Sequence, residues 1–479
     1  MSNLIKSTSI YTIVGFLPLA FGFFISPVYT FFLTTEDNGI INLFTLICGI
    51  FLNFFVFGID GVFAVKHFEV IKNKAEEKRL IRNSFTSILL IGSLNSVLLT
   101  ILSYLLLPLI LNPKTNFPFY PNIIFIIIFS FSQIIWNFYL SYLRNKEKIR
   151  KFALFSISLF SLTVILSLLL VVYFKLGNFG ALFSRTLSIF ILVIFILIDM
   201  RNFICFKINY KMLKAHLILG VPICIYLILG QFNYSLDRIL IEKYFTLNEL
   251  GIYGLALLIA STSEIWITAI SNATSPTIYK LLNADLKEGT SKLREIFRMQ
   301  IISVIFLVCV IISLSPMFYK LAIHRDYHIG LMLIPALAFG FIGRALYVIY
   351  VPFIFVKNKT KYLPIINGIT LVISFVISII FLPYFGFSGI LISFTCTKFI
   401  QLPIVYYFSQ KCEKFDFQLK IEYLLILFIL LTILSIYWTK QLPPAYSFQI
   451  PLIFFILFSF FSYRKKIVIL AKNLRKRDD

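Results

Sequence analysis

An all-α polytopic membrane protein of about 14 transmembrane helices is the fold class this sequence predicts, with two parallel-related six-helix lobes followed by two C-terminal helices. Three observations predict it. Apolar stretches of about 20 residues recur, the length that crosses a hydrocarbon core of roughly 30 Å. Basic residues alternate between crowded and sparse loops. The two halves of the chain repeat each other.

The chain has 479 residues, of which 59% are hydrophobic and 14% charged. Its mean hydropathy is +0.92. A soluble domain carries about a quarter of its residues as charges, so lipid is the expected solvent here. The net charge of +23 sits in short clusters between apolar stretches. That placement is a topology signal and excludes nucleic acid as the expected partner. The six cysteines are scattered with no CxxC pair, which argues against a metal or disulfide framework. The first apolar segment follows one lysine, Lys6, and has no small-residue cleavage site, so it reads as a retained helix.

Spans are predicted at 8–33, 40–64, 84–110, 121–143, 153–174, 178–199, 215–236, 250–279, 299–319, 329–356, 362–383, 387–409, 421–439 and 448–463. With the N-terminus inside, the inner segments hold 34 of the 44 Lys and Arg and the outer segments seven. This bias places both termini in the cytoplasm and requires an even number of spans. All connecting loops are short, and the basic tail Arg464–Asp479 is expected at the membrane surface beside anionic lipid heads.

The repeat has a nearly constant offset. Thr34–Ile40 (TTEDNGI) and Thr246–Ile252 (TLNELGI) follow the first and seventh spans, 212 positions apart. Arg144-Asn145-Lys146 and Lys357-Asn358-Lys359 precede the fifth and eleventh, 213 apart. Leu176–Ser184 and Phe385–Ser393 open the sixth and twelfth, 209 apart. A six-helix unit is even, so the copies are related by an axis along the membrane normal. The expected division is 1–213 for the first lobe, 214–420 for the second, and 421–479 for two extra helices with the tail. Two such lobes suit alternating access.

With Thr34–Gly39, Tyr142–Lys146, Asp237-Arg238, Leu250–Gly254 and Ser275-Pro276, the chain resembles the Wzx-type polysaccharide flippases. Their superfamily also holds the MATE drug exporters and lipid II flippases. The resemblance covers nearly the whole chain. It implies a twelve-helix core plus two helices, and a substrate made of an oligosaccharide linked through diphosphate to a polyprenyl lipid. It further implies residence in a bacterial cytoplasmic membrane and polysaccharide polymerase machinery as a candidate partner, in O-antigen or capsule synthesis.

Charges inside spans are costly and usually face a cavity or a partner. Arg344 in the tenth span, Lys398 in the twelfth and Arg185 in the sixth are the three cations that no loop explains. A diphosphate needs such charges, and guanidinium binds phosphate oxygens in pairs; interhelical pairing or snorkelling is the structural alternative. Glu264 in the eighth span and Asp60 in the second are candidates for ion coupling or for counter-ions, with Lys66 near Asp60 favouring the second role there. Asp237 and Arg238 match the family pattern at the outer end of the seventh span, as a conformational element or an interface anchor. Asn53, Asn95, Gln133, Asn137, Gln231, Asn233, Asn367 and Gln401 serve sugars or interhelical bonds, with Trp136 and Trp266 nearby.

No phosphate-loop signature or G-x-S-x-G elbow is present, and no cofactor is expected. The expectation is therefore a flippase, not an enzyme. A MATE-like exporter of small molecules is the second reading. A membrane glycosyltransferase or polymerase is the third, disfavoured by the short outer loops.

Overall fold

The computed structural model describes residues 17–59, 62–63, 67, 73–112, 117, 119–204, 210–283, 286–357 and 359–412. Among these are thirteen α-helices and no strand. They are α1 (Leu17–Phe32), α2 (Thr35–Val56), α3 (Lys74–Ile110), α4 (Phe119–Asn145), α5 (Ile149–Ser167, continued by a π turn Leu168–Tyr173) and α6 (Gly177–Asp199). Then follow α7 (Tyr210–Tyr244), α8 (Leu247–Ala260), α9 (Thr262–Asn283), α10 (Leu286–Ala322), α11 (Ile334–Val356), α12 (Tyr362–Phe385) and α13 (Phe387–Cys412). Ten helical segments among the described residues are long and apolar enough to cross a membrane. The predicted spans 421–439 and 448–463, the tail and Asp60 lie outside the described residues.

Within the described residues each of the first twelve predicted spans falls on a helix (8–16, 60–61 and 64 lie outside them, and the tenth opens on the 3-10 helix Arg325–Leu333), with two main differences. The third and ninth begin far earlier than their apolar windows, at Lys74 and Leu286. At 37 residues each, α3 and α10 are about 55 Å long, well beyond a hydrocarbon core. Hydropathy locates the lipid-compatible stretch, whereas caps locate the helix. For α3 the cap is Asn73, whose Oδ1 accepts from the Ala75 and Glu76 amides, with Glu76 and Glu77 in the first turn. The second difference is that the eighth span is two helices, α8 and α9, meeting at Ser261. There the Thr262 hydroxyl bonds the Ile259 carbonyl (2.7 Å) and the Glu264 amide donates to the Ser261 carbonyl (2.9 Å). This i→i+3 turn interrupts the α pattern.

The sequence repeat reappears in the element ends. Phe32 and Tyr244 end helices 212 positions apart; Thr35 and Leu247, and Lys74 and Leu286, begin them at the same interval. Ile110 and Ala322, and Tyr173 and Phe385, close helical runs at that interval too. The two TTEDNGI-type motifs build matching caps. Thr34 and Asp37 form a capping box at α2, with the Asp37 amide on Thr34 Oγ1 at 3.1 Å. Thr246 and Glu249 form one at α8, with the Glu249 amide on Thr246 Oγ1 at 3.3 Å.

The chain divides into two compact units. One comprises 1–258, 324–327 and 359–397; the other comprises 259–323, 328–358 and 398–479. The first division, between Leu258 and Ile259, falls beside the Ser261 turn. The first unit is centred on aromatic and branched side chains of α2 to α6, including Phe55, Phe85, Trp136, Phe138 and Ile196. In the second, α10 packs on α9 and α11, burying Ile301, Val308 and Ile312 with Leu337, Phe341 and Ile342. Because lipid tails are as apolar as these side chains, shape and small residues set the contacts more than water exclusion does.

Candidate functional site

Within the second unit, the structure brings Arg344 and Glu264 together. Arg344 is the eleventh residue of the 23 in α11. Its Nε donates to Glu264 Oε1 at 3.1 Å, and its guanidinium lies 4.9 Å from the centre of the Tyr347 ring. Glu264 stands in the first turn of α9, just past the Ser261 break, where the helix N-terminus favours an acid. The pair is only partly enclosed, with 32% of the Arg344 side chain and 29% of Glu264 exposed. Each is thus a counter-ion to the other while keeping a face open.

Lys398 is adjacent through its backbone. A Cβ on Gly343 would lie 2.8 Å from the Lys398 carbonyl, so α11 and α13 meet closely one residue from Arg344. Only glycine allows that approach. The Lys398 side chain is buried.

Arg185 belongs to the first unit. Its guanidinium lies 5.4 Å from the Phe21 ring and 6.0 Å from Tyr29. Nη1 reaches Thr45 Oγ1 at 3.4 Å, while the buried Nε has no hydrogen-bond partner among the described residues. A guanidinium has five donors, so most of this one's capacity is unspent.

Asp237 and Arg238 are two turns inside α7, which runs on to Tyr244, rather than at its end. Both are buried, and the Tyr253 hydroxyl of α8 donates to Asp237 Oδ2. Arg238 donates to the Tyr234 carbonyl (3.1 Å) and lies over the Tyr234 ring (4.9 Å). A helix tolerates these charges because neighbouring groups cover them, which hydropathy cannot register.

Sequence reasoning missed a buried ion cluster in the first unit. Glu77 Oε1 is 2.7 Å from His67 Nε2, and Glu77 Oε2 is 2.5 Å from Lys146 Nζ. Lys146 sits in the repeated Arg-Asn-Lys motif, the one signal that pointed there. Glu242 was also missed; it accepts from the Asn112 amide at 2.9 Å. The polar residues mostly serve structure. Asn95 Nδ2 donates to the Phe54 and Phe55 carbonyls at the end of α2 (3.1 and 2.8 Å), and Asn233 Nδ2 donates to the Asn367 carbonyl (2.7 Å). Trp136 is sealed in the core, whereas Trp266 is exposed. Among the described residues no cluster of His, Cys, Asp or Glu is built to hold a metal.

The fold is shared with solved transporters. A lipid II flippase MurJ in an inward closed conformation superposes with a TM-score of 0.68 at 16% identity, covering 95% of this chain and 99% of that one. An inward-facing multidrug resistance MATE family transporter of the MOP superfamily gives 0.65 at 14% identity, covering 83% and 94%. The MATE multidrug transporter DinF-BH gives 0.58 at 15%, covering 85% and 95%. No curated protein sequence matches the chain. A family model described as polysaccharide biosynthesis protein matches residues 4–282. That match spans more than half of a multi-pass membrane protein with this fold, and the chain belongs to the polysaccharide biosynthesis protein family.

Proposed function

We propose that the protein translocates a polyprenyl-diphosphate-linked oligosaccharide across a bacterial cytoplasmic membrane, for synthesis of a surface polysaccharide such as O-antigen or capsule. The observation that carries this reading is Arg344, a guanidinium mid-way along a spanning helix, held by Glu264 yet partly open. Family membership supports it. In this reading the cations inside the helices, Arg344, Lys398 and Arg185, are the candidates to meet the anionic headgroup, and Arg344 is the one argued from geometry. The polyprenyl chain stays in the bilayer, since withdrawing it costs about 0.8 kcal/mol per CH₂. Both termini are cytoplasmic in this reading. An inside-negative potential then drives an anion outward with about 2.3 kcal/mol per charge per 100 mV. Two six-helix lobes, 1–213 and 214–420, with the last two helices outside them, suit alternating access in this reading. The process makes and breaks no covalent bond in the substrate.

Deleting the gene tests the proposal. The expected result is loss of surface polysaccharide with lipid-linked repeat units accumulating on the cytoplasmic face. Export of single unpolymerised units would overturn it in favour of a polymerase. Unchanged polysaccharide with new sensitivity to cationic drugs would favour the MATE-like reading, for which Glu264 is the relevant carboxylate.

A further inference from the structure

One face of α9 is polar over four turns. Glu264, Thr268, Ser271, Asn272, Ser275 and Tyr279 recur at intervals of one, three and four, which places them on one side of the helix. Thr268, Asn272 and Tyr279 are exposed and the others half-buried. Thr268 and Ser275 donate to the Glu264 and Ser271 carbonyls of their own helix (2.8 and 2.6 Å), so their oxygens still have acceptor capacity. The Asn272 carboxamide makes no side-chain hydrogen bond with a described residue. Glu264 and the open Asn272 carboxamide are costly to turn to hydrocarbon, which favours the bundle interior or a watered space beside this face.

The repeat supplies a comparison. Counted 212 positions back, Glu264, Thr268, Ser271 and Ser275 correspond to Leu52, Val56, Ile59 and Phe63. Ile59 and Phe63 are fully buried in the first unit's core. Asp60, the counterpart of Asn272, lies outside the described residues. In the first copy the helix ends at Val56, and Phe57 and Gly58 have positive φ, so the comparison is one of sequence register: four apolar side chains there stand where the second copy has hydrogen-bonding groups, and Asp60 and His67 stand opposite Asn272 and Tyr279. The face is also graded in charge. Its ion pair lies at one end, Arg344 with Glu264, and the turns from Thr268 to Tyr279 carry none.

We propose that this face of α9 is the saccharide-binding track, contacting the neutral hydroxyl and amide groups of the substrate's sugars while Arg344 holds the diphosphate. The inference rests on the flippase reading above and adds to it which residues read the glycan. A neutral polyol fits because it needs both donors and acceptors and gains nothing from charge; a lipid tail would not call for this composition. Thr268, Ser271 and Asn272 are then specificity residues, separate from the residue that binds the anion.

The test uses the full-length protein in nanodiscs and two probes, bare undecaprenyl diphosphate and undecaprenyl diphosphate carrying a short neutral oligosaccharide. Thr268→Val with Ser271→Ala and Asn272→Leu should weaken binding of the glycosylated probe about tenfold and leave the bare probe unchanged. The single Asn272→Leu, at an exposed position, should show a smaller loss in the same direction. Arg344→Gln should weaken both probes. Equal loss of both probes in the triple variant, or loss of neither, overturns the saccharide track while the flippase reading stands. Failure of the unmodified protein to bind either probe overturns the flippase reading itself, and the track with it.

Discussion

Gly39 and Gly251 close the same crossing from opposite sides. A Cβ on Gly39 would overlap the Leu247 carbonyl oxygen, and a Cβ on Gly251 would overlap that of Thr35. Each glycine of the repeated motif thus accommodates the backbone of the other motif, and Thr35 Oγ1 donates to Asn248 Oδ1 across the crossing at 2.8 Å. Gly39→Ala or Gly251→Ala should each destabilise the protein by about 1–3 kcal/mol, because backbone must move to make room. The double variant should cost less than the sum, since the first separation makes space for the second methyl. Thermal unfolding in detergent checks both statements.

The Arg344–Glu264 pair should resist removal of either partner alone. Glu264→Gln leaves an arginine in the membrane without its counter-ion. Its cost should fall between the about 1 kcal/mol of an exposed pair and the about 3–5 of a buried one. The swap Glu264→Arg with Arg344→Glu should recover that stability and still fail to transport, because the cation has left α11. Melting temperature and polysaccharide export, measured on the same variants, separate the two effects.

Tyr253→Phe should leave buried Asp237 without its donor and cost about 1–3 kcal/mol. Asp237→Asn in the same background should recover part of the loss, since a neutral amide is cheaper to bury. Unfolding midpoints of the three proteins are the measurement.

Glu77→Ala removes the acid shared by His67 and Lys146. The cost should be about 3–5 kcal/mol, larger than for Lys151→Ala, whose partner Asp199 is more exposed. Reduced yield of folded protein and a lower melting temperature would show it.

Sidedness is open to chemical labelling. Cysteine introduced at Lys148 should react with an impermeant maleimide only from the cytoplasm, and cysteine at Lys175 or Lys320 only from outside. The reverse pattern would invert the topology.

The helix order was legible because lipid imposes one rule on every span, and the basic loops mark alternate ends. The repeat was legible because its caps are short motifs with fixed chemistry, Thr34 with Asp37 and Thr246 with Glu249. The break at Ser261 was not, because Ser and Thr also sit inside unbroken spanning helices. Arg344 and Glu264 stood out individually, but 80 positions separate them and neither implies the other. Glu77 and Glu242 were hidden among loop charges, where an apolar window ends before the helix does.

The 212-residue periodicity also makes the chain its own control. Many positions in one copy have a partner in the other at the equivalent point of the topology. Where the two have stayed alike, as at Gly39 and Gly251, the architecture constrains them. Where they have parted, as at Phe63 and Ser275, one register carries a buried core side chain in the first copy and a half-buried polar one in the second. A mutational scan that subtracts one half from the other would separate these two kinds of position without any second protein.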